Sequence, residues 1–174
     1  MGYAEDREWS DIWIPKICDI VGPLLLKPAT FEWDTKEATD LRVLNARDMR
    51  IGCRMREEGT EQKYPGEFTI RSQRDSGHET ELWKVICGWG DWLFYGIQFG
   101  DNIWPWRIID LDAFRAHLIK NKNLNALLHS KANQKPNGDG TWFTFWKVSD
   151  FRGAPDILVR QSGESPIITV EAPF

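Results

Sequence analysis

The sequence predicts an α/β protein in which a mixed β-sheet is flanked by helices. Three observations carry that expectation. An N-terminal stretch places apolar residues at helical spacing, several short extended segments follow between turn signals, and a strand, a helix and a strand succeed one another from Glu67 to Phe99. Two strands joined by one helix normally lie parallel with a right-handed crossover, whereas strands joined by tight turns run antiparallel. The 174-residue chain is long enough for one domain with a real core and short for two. No repeat or linker divides it, so residues 1–174 read as a single domain: a core over 1–110 and a helix-plus-strand extension over 111–174.

Residues 8–26 put Trp9, Ile12, Trp13, Ile17, Ile20, Val21 and Leu24 three and four apart, the apolar stripe of one amphipathic helix. Ser10 or Asp11 can cap it, Pro15 then falls near the first turn where its missing N–H matters least, and Gly22-Pro23 ends it. Extended pieces are expected at 30–33, 40–44, 49–56 and 67–73, the second and third folded back on each other through a turn at Asn45–Asp48. Residues 57–66 read as a polar loop and residues 74–77 as a turn. HETELWKVICGW carries Leu82, Val85, Ile86 and Trp89 on one side of a helix that Gly88 and Gly90 terminate.

DWLFYGIQF is apolar on both faces, the pattern of an internal strand. The chain returns through IWPWRII as a hairpin, and Asp110 caps a further helix with Leu111, Phe114 and Leu118 inward. Residues 132–140 read as a loop, TWFTFWKV as a strand whose uncovered edge would favour self-association, and ILVR and PIITV as short strands or extended tail.

Composition narrows the class. Hydrophobic residues make up 41% and charged residues 28%, as in ordinary globular proteins. No run approaches the roughly 18 apolar residues of a membrane span, and the opening MGYAEDREWSD lacks the features of a signal peptide, so a cytoplasmic location is expected. Cys18, Cys53 and Cys87 are far apart and form no ligand spacing with His78, His117 or His129, which argues against a zinc site and for small buried side chains. Ten tryptophans read first as core anchors and second as a platform for bases or a partner. Gly88 and Gly90 follow a helix instead of opening one, which excludes a phosphate-cradling loop, and no nucleophile elbow surrounds Ser72 or Ser76.

The net charge is -4, yet residues 113–138 carry Arg115, Lys120, Lys122, Lys131 and Lys135 without one acid. Such a run serves either as a contact to a phosphate backbone or as a solvated helix end. Arg42, Arg50, Arg54 and Arg56 add a second cluster on the 37–57 strands.

The order helix, three-strand meander, helix, strand over residues 8–99 resembles the restriction-endonuclease-like PD-(D/E)XK superfamily. FTIRS, SGHETELWK and GWGDWLFYG look like segments of proteins carried by phages and mobile elements. The resemblance implies a nuclease-like core over residues 1–110 with extra C-terminal strands. It also implies two acids holding Mg2+ or Mn2+ beside a lysine that orients the attacking water. Asp40 matches the family's Asp by position, and Glu8 is the nearest first-helix acid. The next strand offers Arg54-x-Arg56 where the family has Glu-x-Lys. In the alternative register Asp48 takes the Asp role, and Glu67, Thr69, Arg71 and Gln73 share one face of the partner strand.

A migrated set then comprises Asp40, Glu67, Arg71, Glu81 and Lys84, with Asp40 and Glu67 on the metal and Arg71 expected to pair with Glu67 or Glu81. Arg54, Arg56, Arg115, Lys120, Lys122 and Lys131 would contact nucleic acid. The implied function is a metal-dependent nuclease acting on phosphodiesters. The alternative is a degenerate member that binds nucleic acid, or a host or phage protein, without cutting.

Overall fold

The computed structural model describes residues 3–28, 41–43, 49–77, 79–120, 134–137, 139–151 and 157–163. In chain order these form helices α1 (Tyr3–Asp11) and α2 (Ile14–Val21), strands β1 (Leu26–Pro28), β2 (Leu41–Val43) and β3 (Ile51–Arg56), and the short helix α3 (Thr60–Lys63). Strand β4 (Glu67–Arg74), helix α4 (Glu81–Ile86), strands β5 (Trp92–Phe99) and β6 (Asn102–Asp110) and helix α5 (Leu111–Lys120) follow. Strands β7 (Gln134–Asn137), β8 (Thr141–Lys147) and β9 (Leu158–Gln161) complete the set. The protein is α/β, with a mixed and two antiparallel sheets.

The two apolar faces of β5 place it inside a four-stranded sheet of order β3-β5-β6-β9, parallel to β3 and antiparallel to β6. On one face Phe94, Ile108, Ile103 and Met55 pack against Trp13, Ile17 and Val21 from the N-terminal helical segment. On the other, Leu93, Tyr95, Ile97 and Ile109 meet Phe68 and Ile70 of β4, Leu82 and Val85 of α4, Phe114 of α5 and Trp146 of β8. Gly96 lies where any Cβ would approach Ile103 Cγ2 to 2.6 Å and Phe94 Cε1 to 2.8 Å, so only glycine lets these strands close. Burying side chains on both faces at about 25 cal/mol per Å2 makes this strand the main apolar anchor of the fold.

Several connections differ from the sequence reading. The single N-terminal helix is two helices, which break around Trp13 so that Trp9 and Trp13 meet edge to face at 6.3 Å. Trp13 stands at the N-cap position of α2 without a side-chain cap, with Pro15 in the first turn. The expected 40–44/49–56 hairpin does not form, because β2 pairs with β1 and β3 pairs with β5. The strand at 67–73 is not the parallel partner of β5. It leaves the sheet to pair antiparallel with β8, and the parallel crossover runs from β3 to β5. Thus β2, β3 and β4 lie in three different sheets, and the three-strand meander implied by the resemblance is absent.

Smaller corrections have local causes. The 57–66 loop contains α3, and the 132–140 loop contains β7, whose backbone pairs with β8. TWFTFWKV therefore has β4 on one side and β7 on the other, which removes the uncovered edge. The three cysteines are exposed, not buried. Trp13 and Trp146 are buried core anchors, but Trp83 and Trp89 face solvent. Asp110 does cap α5, accepting from the Ala113 N–H at 2.8 Å, and Thr80 caps α4 through the Trp83 N–H. No helix among the described residues is long and apolar enough to cross a membrane. The strand expected at 30–33 and the PIITV segment lie outside the described residues.

Candidate anion-binding cleft

Alternation along β3 turns Ile51 and Met55 toward the N-terminal helices and leaves Arg54 and Arg56 for the opposite face. There they meet the β4–β8–β7 sheet. Its register sets Arg71 opposite Phe143. Three guanidinium groups consequently gather about one ring, with Arg54, Arg56 and Arg71 at 5.1, 5.5 and 5.5 Å from the Phe143 centroid. Each cation is attracted to the ring's negative face, and the ring is a pad on which the like charges approach one another.

The surroundings leave these cations incompletely neutralised. Arg54 forms an ion pair with Glu81, its side chain only 14% exposed. Glu81 also accepts from the Arg71 backbone N–H at 3.3 Å. The Arg71 guanidinium makes no ion pair among the described residues, and burial followed by the nearby charges of Arg54 and Arg74 lowers its pKa. Glu81 and Asp139 act in the opposite direction and more weakly. The Nε–H groups of Arg54, Arg71 and Arg74 are buried and find no acceptor among the described residues. An unpaired buried donor of this kind forfeits its hydration, by about 1–3 kcal/mol.

Arg54, Arg56, Arg71 and Phe143 border a cleft of about 810 Å3 that Arg7, Trp9 and Asp139 also line. Arginine offers planar forked donors, no acceptor, and no proton to give near neutral pH. The arrangement therefore suits bidentate binding of anionic oxygens and supplies no general base from its arginines.

The remaining sequence candidates are dispersed or otherwise engaged. Glu67 accepts from Lys135 Nζ at 3.0 Å, and that ammonium lies 3.7 Å from the Tyr64 ring centre and 4.2 Å from that of Phe145. The expected pairing of Arg71 with Glu67 or Glu81 does not occur, because Lys135 and Arg54 hold those carboxylates. Lys84 and Glu8 are exposed. Arg115 donates to the carbonyls of Val85 and Gly90 and pairs with Asp112, which ties α5 to the end of α4. Asp40, Asp48, Lys122 and Lys131 lie outside the described residues, as does the side chain of Lys120. Among the described residues no group of three or more His, Cys, Asp or Glu side chains could hold a metal ion.

Sequence reasoning found Arg54, Arg56 and Arg71 but missed Phe143, Asp139, Arg74 and Arg7. Phe143 sits in an apolar strand that reads as core, and nothing local marks it as the ring on which three arginines converge. Comparison with protein-family models, with curated proteins and with solved structures finds no match to this chain.

Proposed function

We propose that the protein binds the phosphate backbone of nucleic acid in the arginine cleft without cutting it, as a degenerate relative of the restriction-endonuclease-like enzymes. The observation that carries this reading is the convergence of Arg54, Arg56 and Arg71 on Phe143, with Glu81 the one carboxylate ion-paired among them within the described residues. A phosphate would bring negative charge to the three guanidinium groups and relieve their mutual repulsion. Binding is favoured over hydrolysis because Glu67 and Glu81, two of the acids proposed for a catalytic set, are each neutralised by a cation. The relationship to that superfamily rests on the succession of strands and helices in the sequence and not on their pairing, because β2, β3 and β4 lie in different sheets.

Fluorescence anisotropy with labelled oligonucleotides tests the proposal. Affinity should fall steeply between about 50 and 200 mM salt. Arg54→Gln and Arg56→Gln should weaken binding uniformly across sequences and flatten the salt slope by about one contact each. No binding at low salt would remove the proposal. Strand cleavage that requires Mg2+ or Mn2+, in a preparation free of contaminating nuclease, would replace it with the metal-dependent nuclease.

A further inference from the structure

β4 contains a bulge that changes which of its side chains share a face. Thr69, Arg71 and Arg74 stand opposite Phe145, Phe143 and Thr141, while Gln73 stands opposite Trp142. Phe145, Phe143 and Thr141 alternate along β8 and so lie on one face, and cross-strand partners share a face. In an unbroken strand Arg71 and Gln73 would point the same way. The register shift between Arg71 and Gln73 turns Gln73 to the opposite face and brings Arg74 beside Arg71. Bulges re-aim side chains in this manner, and here the effect is to extend a row of cations past the end of the cleft.

Arg74 opens onto a second hollow of about 320 Å3, lined also by Ser72, Gln73, Glu79 and Trp83. Trp83 is a large apolar side chain at 46% exposure. Its helix buries Leu82 and Val85 instead, so the indole is not needed for the core. The chemistry changes along the path. Arg54, Arg56 and Arg71 offer charge to phosphates, whereas the second hollow offers an aromatic face, an amide and a hydroxyl beside the Glu79 carboxylate. That carboxylate repels a phosphate and accepts from the amino group of a base.

We propose that the ligand of the cleft is a single strand, whose backbone follows Arg54, Arg71 and Arg74 and whose unpaired base stacks on Trp83. This rests on the backbone-binding reading above and adds the strandedness of the ligand. Bases stacked within a duplex present no free face to an indole, whereas an unpaired base does.

The experiment compares a labelled single-stranded oligonucleotide of adenine and cytosine, whose bases carry amino groups and do not pair with each other, with a hairpin duplex of equal length, by anisotropy at one salt concentration. The wild type should bind the single strand about tenfold more tightly or better. Trp83→Ala should lose about tenfold on the single strand and leave the duplex unchanged, and Trp83→Phe should recover most of the loss. Arg74→Gln should flatten the salt slope for the single strand by about one contact. Thermal melts of the same variants establish that they fold. Duplex affinity equal to that for the single strand, or an unchanged Trp83→Ala, overturns the single-strand assignment while Arg54-dependent binding stands. Absence of binding to either probe overturns the backbone reading itself.

Discussion

The guanidinium of Arg107 donates to both carboxylate oxygens of Glu61, at 2.6 and 3.2 Å, and joins α3 to the middle of the four-stranded sheet. Arg107 is 7% exposed, and Glu61 also accepts from the Gly66 N–H at 2.9 Å. Removing one partner of such a buried pair strands the other charge. Glu61→Ala should therefore destabilise the fold by about 3–5 kcal/mol. Urea denaturation checks this, and a midpoint within error of wild type would show that the pair is dispensable.

Gly96→Ala tests the close approach of β3, β5 and β6. Its Cβ would sit 2.6 Å from Ile103 and 3.0 Å from the Met55 sulfur. Overpacking of this kind should cost about 1–3 kcal/mol, read as a lowered melting temperature. Combining it with Ile103→Leu is expected to recover part of the loss, because the nearest contact is the Ile103 Cγ2 methyl, which leucine lacks.

Arg71 should separate binding from stability. Burial and its arginine neighbours disfavour its charge. A depressed basic pKa penalises the folded state at every pH below it, and the penalty disappears only in strong alkali. What Arg71 gains in return is the contact with Phe143. Arg71→Gln should thus change stability by less than about 1 kcal/mol while weakening oligonucleotide binding. A large fall in melting temperature would show that the guanidinium supports the fold in some further way.

Asp139 gives an acid-range test. The Thr141 hydroxyl, which donates to its carboxylate at 2.6 Å, is the first cause holding its pKa below the ordinary value, and the Thr141 N–H at 3.0 Å adds to it. For a depressed carboxylate the stabilisation is present above the unfolded value, near 4, and is lost as pH falls through the folded value. Thr141→Val should move the Asp139 titration upward, as followed by carboxyl-carbon NMR. An unmoved midpoint would assign the depression to the other groups nearby.

What was legible in the sequence follows from the range of the forces involved. β5 announced itself because both its faces are apolar, and α5 because Asp110 stands at its start, each a local signal. The partner of β4 was not legible. Its alternation of Glu67, Thr69 and Arg71 with Phe68 and Ile70 is the same whether it joins β5 or β8, so local pattern cannot choose the sheet. The bulge at Ser72 has no residue signature, and reading Gln73 with Arg71 followed from unbroken alternation. Arg54 and Arg71 were identifiable as cations, but their meeting over Phe143 depends on strands of two sheets being stacked. That is a tertiary fact with no local trace.

The strand order β3-β5-β6-β9 has a kinetic consequence. β5 and β6 are joined by the tight turn at Gly100-Asp101, whereas β3 reaches β5 only across α3, β4 and α4, and β9 reaches β6 only after α5, β7 and β8. Closing those long loops loses chain entropy before any pairing compensates it. The hairpin is then expected to form first, with the two outer strands added later from opposite directions along the chain. Substitutions such as Ile108→Val should slow refolding, and Leu158→Ala in β9 should chiefly accelerate unfolding, the two limbs of a stopped-flow chevron separating them. The arginine cleft, which needs β3 and β8 both in place, should accordingly assemble late in folding.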